Sequence, residues 1–195
     1  MRRLATRPRG VIASREMALR EIVLPTTEPE TEWVRGRALQ KVSPTWWHAK
    51  LQAAFARALG DYAGERAQVG TEWRFRVAPP GEAIRPLVPD VALVWNERLR
   101  GLPLAEIQTP LGAPDIAVEI LSPDDRSADV EDKIATYLRS AAQLVVVVDP
   151  AQRSVTLVDP EGRRSLAERE TLEHQALPGF ALSLRALFAA LELPR

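Results

Sequence analysis

Residues 115–123 read Asp115-Ile116-Ala117-Val118-Glu119-Ile120-Leu121-Ser122-Pro123, and this stretch decides the fold. It reads as an apolar strand. Ser122-Pro123-Asp124-Asp125 ends it. Glu119 stands in its middle, where a carboxylate is costly unless something pairs with it. A second apolar strand, residues 89–95, begins Pro89-Asp90 and continues through Val91, Ala92, Leu93 and Val94. Neighbouring strands lie ~4.8 Å apart. If these two are adjacent, Asp90 and Glu119 can share one divalent cation, with the backbone carbonyl of Ile120 as a further ligand. Hard oxygen donors, with no cysteine and only two histidines in the chain, select Mg²⁺ or Mn²⁺ over Zn²⁺.

The elements on either side fit around these strands. Residues 32–42 have β character, with Arg35-Gly36 as a hairpin turn. Ser43-Pro44 opens a helix that runs to about Leu59, with Trp47, Leu51, Ala54, Phe55, Ala58 and Leu59 on one face. Residues 68–77 alternate, with Trp73, Phe75 and Val77 on one side and Glu72, Arg74 and Arg76 on the other. After Asp125 a helix extends to about Ser140, packed by Val130, Ile134, Tyr137 and Leu138. Residues 144–148 are a buried strand, 154–158 another, and 183–191 a terminal helix. The middle of the chain thus reads helix, strand, strand, strand, helix, strand. That order predicts an α/β (α+β) fold, a mixed sheet with helices on its faces.

Composition narrows the function classes. The 195 residues carry 26 basic and 26 acidic side chains, enough for one ordinary domain. The absence of cysteine excludes disulfides, thiolate metal sites and a cysteine nucleophile. No apolar run approaches the ~20 residues of a membrane span, and no secretory signal is present, so a cytoplasmic location is expected. Residues 1–16 hold five arginines against Glu16, a net of +4, and read as a disordered basic leader. A basic arm gripping phosphate is the functional alternative, and Met17 is a second candidate start. Residues 17–195, read as one domain, carry the compensating −4. Between Asp115 and Lys133 seven acids face two bases, a net of −5, as a cation site requires. Neutrality therefore does not exclude a nucleic-acid substrate.

Lys133 lies at the border of its helix's buried face, between Val130 and Ile134. From there its ammonium can reach inward to orient or activate a nucleophile beside a metal and to stabilise phosphate charge. The structural alternative is an exposed pair with Asp129 one turn earlier. For Asp90 the structural alternative is a turn residue, and for Glu119 a paired carboxylate. Lysine is scarce here, three (Lys41, Lys50 and Lys133) against 23 arginines, which favours a role for the compact ammonium of Lys133.

These residues resemble the PD-(D/E)XK nuclease superfamily, whose core has the order αβββαβ. The lysine usually found two residues after the acid is replaced by Leu121. The wider pattern, Ala113-Pro114-Asp115, Glu119-Ile120-Leu121-Ser122-Pro123, Arg126, Asp129, Lys133, Tyr137, then Val148-Asp149-Pro150 and Leu177-Pro178-Gly179-Phe180, resembles the Uma-two family of endonucleases within it. In that family the lysine sits on the following helix. Glu32, Gly36, Ser43-Pro44 and His48 match the amino-terminal pattern. The resemblance spans about residues 20–191. It implies a restriction-endonuclease-like mixed sheet flanked by helices, with Asp90 and Glu119 as metal ligands, Lys133 as the catalytic lysine and Glu32 as an auxiliary acid. The expected activity is hydrolysis of phosphodiester bonds, in DNA, with Mg²⁺ or Mn²⁺ as cofactor. A homodimer would suit double-strand cutting.

His48 reads as a packed or surface helix histidine, with contact to a phosphate or a metal-bound water as the alternative. Arg74 and Arg76 are candidate backbone contacts, because arginine forks match phosphate oxygens. The tryptophans read as core or interface residues rather than base-stacking platforms. Two rivals to the nuclease remain: a non-catalytic nucleic-acid or partner-binding module that keeps the fold, and a metal-independent hydrolase with two carboxylates, as in glycoside cleavage.

Overall fold

The computed structural model describes residues 20–193; the basic leader and Met17 lie outside them. The elements are β1 (Thr31–Val34), β2 (Arg37–Gln40), α1 (Trp46–Ala63), β3 (Ala67–Thr71), β4 (Phe75–Val77), β5 (Arg85–Leu87), β6 (Val91–Trp95), α2 (Asn96–Leu99) and α3 (Leu104–Gln108). Then follow β7 (Ile116–Ile120), α4 (Ser127–Arg139), β8 (Leu144–Asp149), β9 (Ser154–Asp159), β10 (Gly162–Ala167), β11 (Thr171–Leu172), β12 (Leu182–Ser183) and α5 (Leu184–Ala189).

The main sheet has six strands in the order β10-β9-β8-β7-β6-β3. β7 and β8 are parallel, with α4 as their crossover, and the other neighbours are antiparallel. The expected αβββαβ core is therefore present as α1-β3-β6-β7-α4-β8. Side chains alternate across β7. Ile116, Val118 and Ile120 pack in one cluster with Leu51, Phe55 and Leu59 of α1. Ala117 packs in the opposite cluster with Ile134 and Tyr137 of α4. The same period of two turns Glu119 towards α4. β1 and β2 form the expected hairpin, whose turn residues Arg35 and Gly36 both take positive φ, 47° and 77°. That suits a tight turn matched to strand twist.

Two local readings are corrected. Residues 68–77 are not one strand. β3 joins the main sheet beside β6, while β4 pairs with β5 in a separate ribbon. The chain breaks at Glu72, which adopts φ of 50°, two residues after Gly70. The first helix starts at Trp46, because the Thr45 hydroxyl accepts the His48 N–H at 3.4 Å and thereby sets the cap. It passes through Gly60 and ends at Ala63, before Gly64. In this register the buried face is His48, Leu51, Phe55, Leu59 and Ala63. Trp47 is therefore 48% exposed and outside the apolar face.

Candidate active site

Glu119 on β7 looks towards α4, and the stripe Asp129, Lys133, Tyr137 faces back at helical spacing. The Lys133 Nζ donates to Glu119 Oε2 at 2.5 Å and to Glu32 Oε2 at 3.0 Å, and the Tyr137 hydroxyl donates to Glu119 Oε1 at 2.9 Å. Lys133 therefore reaches inward. Asp129 pairs instead with Arg37, at 2.6 Å. Glu32, on β1, takes the Val88 N–H with its other oxygen at 2.7 Å.

The register Val91↔Val118 carries Asp90 past the end of the β6–β7 ladder, level with the end of β7. There Asp90 Oδ2 accepts the Ile120 N–H at 2.6 Å and lies 3.2 Å from His48 Nε2. Its Oδ1 accepts from Lys41 Nζ at 2.6 Å. Lys41 also reaches the Val88 carbonyl at 3.0 Å and Glu72 Oε2 at 2.8 Å. The result is a buried chain of alternating charge: Asp90, Lys41 and His48 at one end, Glu119, Lys133 and Glu32 at the other.

Apart from Tyr137, Glu72 and Val88, the residues of this network line one open cavity of about 410 Å³. Six carboxylates and four lysine or arginine side chains line it, a formal excess of two negative charges when Glu119 is ionised and His48 neutral. Burial opposes charge on both lysines, but the surrounding carboxylates outweigh it and hold Lys41 and Lys133 above the usual lysine range. Both are cations at neutral pH. Burial also opposes charge on Asp90, yet Lys41, His48 and Lys133 keep it well below the usual carboxylate range. For Glu119 the balance reverses. Burial, with the charges of Asp90 and Glu32 added, outweighs Lys133 and pushes it up to about 7. His48 is raised: the hydrogen bond to Asp90 and the aspartate's charge exceed the penalty of burial.

The Glu119 shift has a measurable sign. An unfolded glutamate releases its proton near pH 4.5, while the folded one keeps it to about 7. Between these values the native state holds the extra proton, so Glu119 lowers stability as pH rises. Glu119→Gln mimics the protonated form. Without divalent cations, the variant is expected to gain on the wild type by up to about 3 kcal/mol between pH 4.5 and 8. Urea unfolding at both pH values checks this, and parallel behaviour of the two proteins would contradict it.

A family model described as "Uma2: Putative restriction endonuclease" matches residues 19–185. The chain belongs to the Uma2 family. A crystal structure described as a "putative nuclease belonging to DUF820 from Anabaena variabilis ATCC 29413" shares 25% identity with it, at a TM-score of 0.76. The match covers 87% of this chain and 95% of that one. No curated protein matches. Family and fold together point to a nuclease. No helix among the described residues is long and apolar enough to cross a membrane.

In this Uma2 chain the structure brings Asp90, Glu119, Lys133, Glu32, Ile120 and His48 together around one cavity. It does not bring Arg74 and Arg76 there. Arg74 pairs with Glu30, and Arg76 grips Glu21 through two bonds of 2.6 and 2.8 Å. Their forks are already filled by carboxylates of their own chain. The sequence reading also missed Lys41 and gave Tyr137 only a packing role. The scarcity of lysine that singled out Lys133 applies equally to Lys41. His48 carries its own signal, a histidine on the otherwise apolar buried face of its helix.

The donor chemistry suits a hard divalent cation: two buried carboxylates at one rim and an Ile120 main chain whose N–H already points to Asp90. Among the described residues, however, no three acid or histidine side chains converge to hold a metal by themselves. The ammonium groups of Lys41 and Lys133 stand at the carboxylates instead. A cation bound to Asp90 would share Oδ1 with Lys41 or displace it.

Proposed function

We propose that this Uma2 chain is a metal-dependent endonuclease that hydrolyses phosphodiester bonds in DNA, with Mg²⁺ or Mn²⁺ held by Asp90, Glu119 and the Ile120 carbonyl. The observation that supports it most is the Lys133 ammonium, fixed between Glu119 and Glu32 at the wall of the cavity that Asp90 also lines. A bound divalent cation supplies Lewis-acid polarisation of a phosphate oxygen. Lys133, charged at neutral pH, offers a proton donor and a positive charge to the phosphoryl oxygens as charge builds there. It does not act as a base. Glu32 aims Lys133 by accepting one of its N–H bonds, and Tyr137 fixes Glu119 by donating to Oε1. His48 and the Ile120 N–H hold Asp90 Oδ2. A second copy of the chain, related by a two-fold axis, would place a second site for the other strand of a duplex.

The test is incubation of the protein with plasmid and with oligonucleotides under Mg²⁺ and under Mn²⁺, beside Lys133→Ala and Asp90→Asn. Metal-dependent cleavage lost in both variants is expected. Cleavage that survives in both would sink the assignment. Salt-sensitive DNA binding with no metal uptake at millimolar concentrations would favour a non-catalytic binding module. Activity indifferent to a chelator would favour a metal-independent hydrolase.

A further inference from the structure

A second cavity, of about 500 Å³, lies beside the acidic one. It is lined by Trp46 and Trp47, by Leu121 and Pro123, and by the Pro150-Ala151 turn after β8. Trp46 is 45% exposed and Trp47 48%. Two half-exposed indoles lining one apolar cleft form the kind of exposed patch that marks a binding site. The volume lies in the range of small-ligand sites.

Its neighbour identifies the occupant. Leu121 and Ser122 line both cavities. His48 lies 3.2 Å from Asp90, and Trp47, the preceding residue, lines the apolar cleft. A polymer whose phosphodiester lies at Asp90 and Glu119 therefore has an adjoining unit within reach of the indoles. In a nucleic acid that unit presents a flat apolar face, the base, and aromatic side chains bind bases by stacking. The rim is suited to the backbone. The Lys50 ammonium sits 5.7 Å from the centre of the Trp46 ring. The first turn of α1 carries no acidic side chain to offset its positive end. The one carboxylate in the cleft, Asp149, turns Oδ1 to the amides of Ala151 and Gln152 at 2.9 Å each.

We infer that the Trp46–Trp47 cleft is a nucleobase subsite, and that the substrate is nucleic acid whose base is unpaired or swung out of the stack. A base inside a duplex has both faces covered and cannot enter. The inference rests on the nuclease reading for its substrate class, but its readout is binding, not cleavage.

The experiment measures fluorescence anisotropy of a labelled single-stranded oligonucleotide and of the same sequence as a duplex. It is run at low salt with chelator, on the wild type, Trp46→Ala and Trp47→Ala. Both side chains are half exposed, so the variants should fold. Tighter binding of the single strand, quenching of tryptophan emission on binding, and a loss of about tenfold to a hundredfold in each variant are expected. Equal affinity for the two forms, or variants that bind like the wild type, would overturn the subsite. So would variants whose only change is a shift in oligomeric state, which would make the cleft a contact between copies. The two readings fail separately. Metal-dependent cleavage with indifferent tryptophan variants keeps the nuclease and removes the subsite. Stacking-dependent binding with no cleavage under any metal does the reverse.

Discussion

Lys133→Ala is expected to lower cleavage by about 10²–10³-fold, the usual consequence of removing one preorganised charge donor from a site of this kind. The same substitution strips a buried cation from two carboxylates at once, Glu32 and Glu119. Breaking a buried pair costs about 3–5 kcal/mol, because the partner is left charged and unsolvated. The loss of stability should depend on pH. Glu119 already holds its proton to about 7 beside Lys133, and removing the ammonium raises it further. In mildly acidic buffer the carboxyl is then neutral and the variant recovers part of its stability. Thermal melts at pH 6 and pH 8, set beside cleavage rates at both, separate the two effects. A variant that is folded at pH 6 and still cuts within tenfold of the wild type would remove Lys133 from the reaction.

Lys41→Ala carries the second large effect. Asp90 is 3% exposed and accepts from Lys41 at 2.6 Å, while Glu72 and the Val88 carbonyl share the same ammonium. Its removal leaves Asp90 Oδ1 facing the cavity without a counter-ion. At about 3–5 kcal/mol for a broken buried pair, and about 2–4 °C per kcal/mol for a chain of this size, the metal-free protein should melt about 10 °C lower. Millimolar Mg²⁺ or Mn²⁺ should restore more stability to the variant than to the wild type. On the proposed assignment the cation would compete with the ammonium for one oxygen, so calorimetry should also show tighter Mn²⁺ binding by the variant. Metal affinity unchanged or weakened by the substitution would mean that Lys41 does not stand where the cation binds.

These two lysines show what local pattern can reveal. Lys133 was legible because its place on α4 is fixed by helical period: residues at the edge of an apolar face have one direction to reach. Glu119 was legible because an acid inside an apolar strand needs a partner. Lys41 lies just beyond β2, with no periodic neighbour to orient it, and its role depends on where the β1–β2 hairpin docks. The placement of Arg74 and Arg76 was not legible, because an alternating pattern continues across the break at Glu72. The two arginines follow β4 into the outer ribbon, where Glu30 and Glu21 take them up. Trp47 misled because the helix register follows the Thr45 cap, which hands the buried face to His48.

By itself the sequence determined the αβββαβ order, the embedding of Glu119 in an apolar strand, and the place of Lys133 at the edge of its helix's buried face. These rest on periods of two and 3.6 residues, which short-range sterics impose wherever the chain runs. Only the tertiary structure decided that Lys133 would be shared with Glu32, 101 residues away, and that Asp90 would meet Lys41 across 49. It also decided that Glu119 would titrate near neutrality. The reason is that charge in a buried site is governed by how many other charges enter the same low-dielectric space, and that number is set by packing between distant segments, not by any residue's neighbours along the chain.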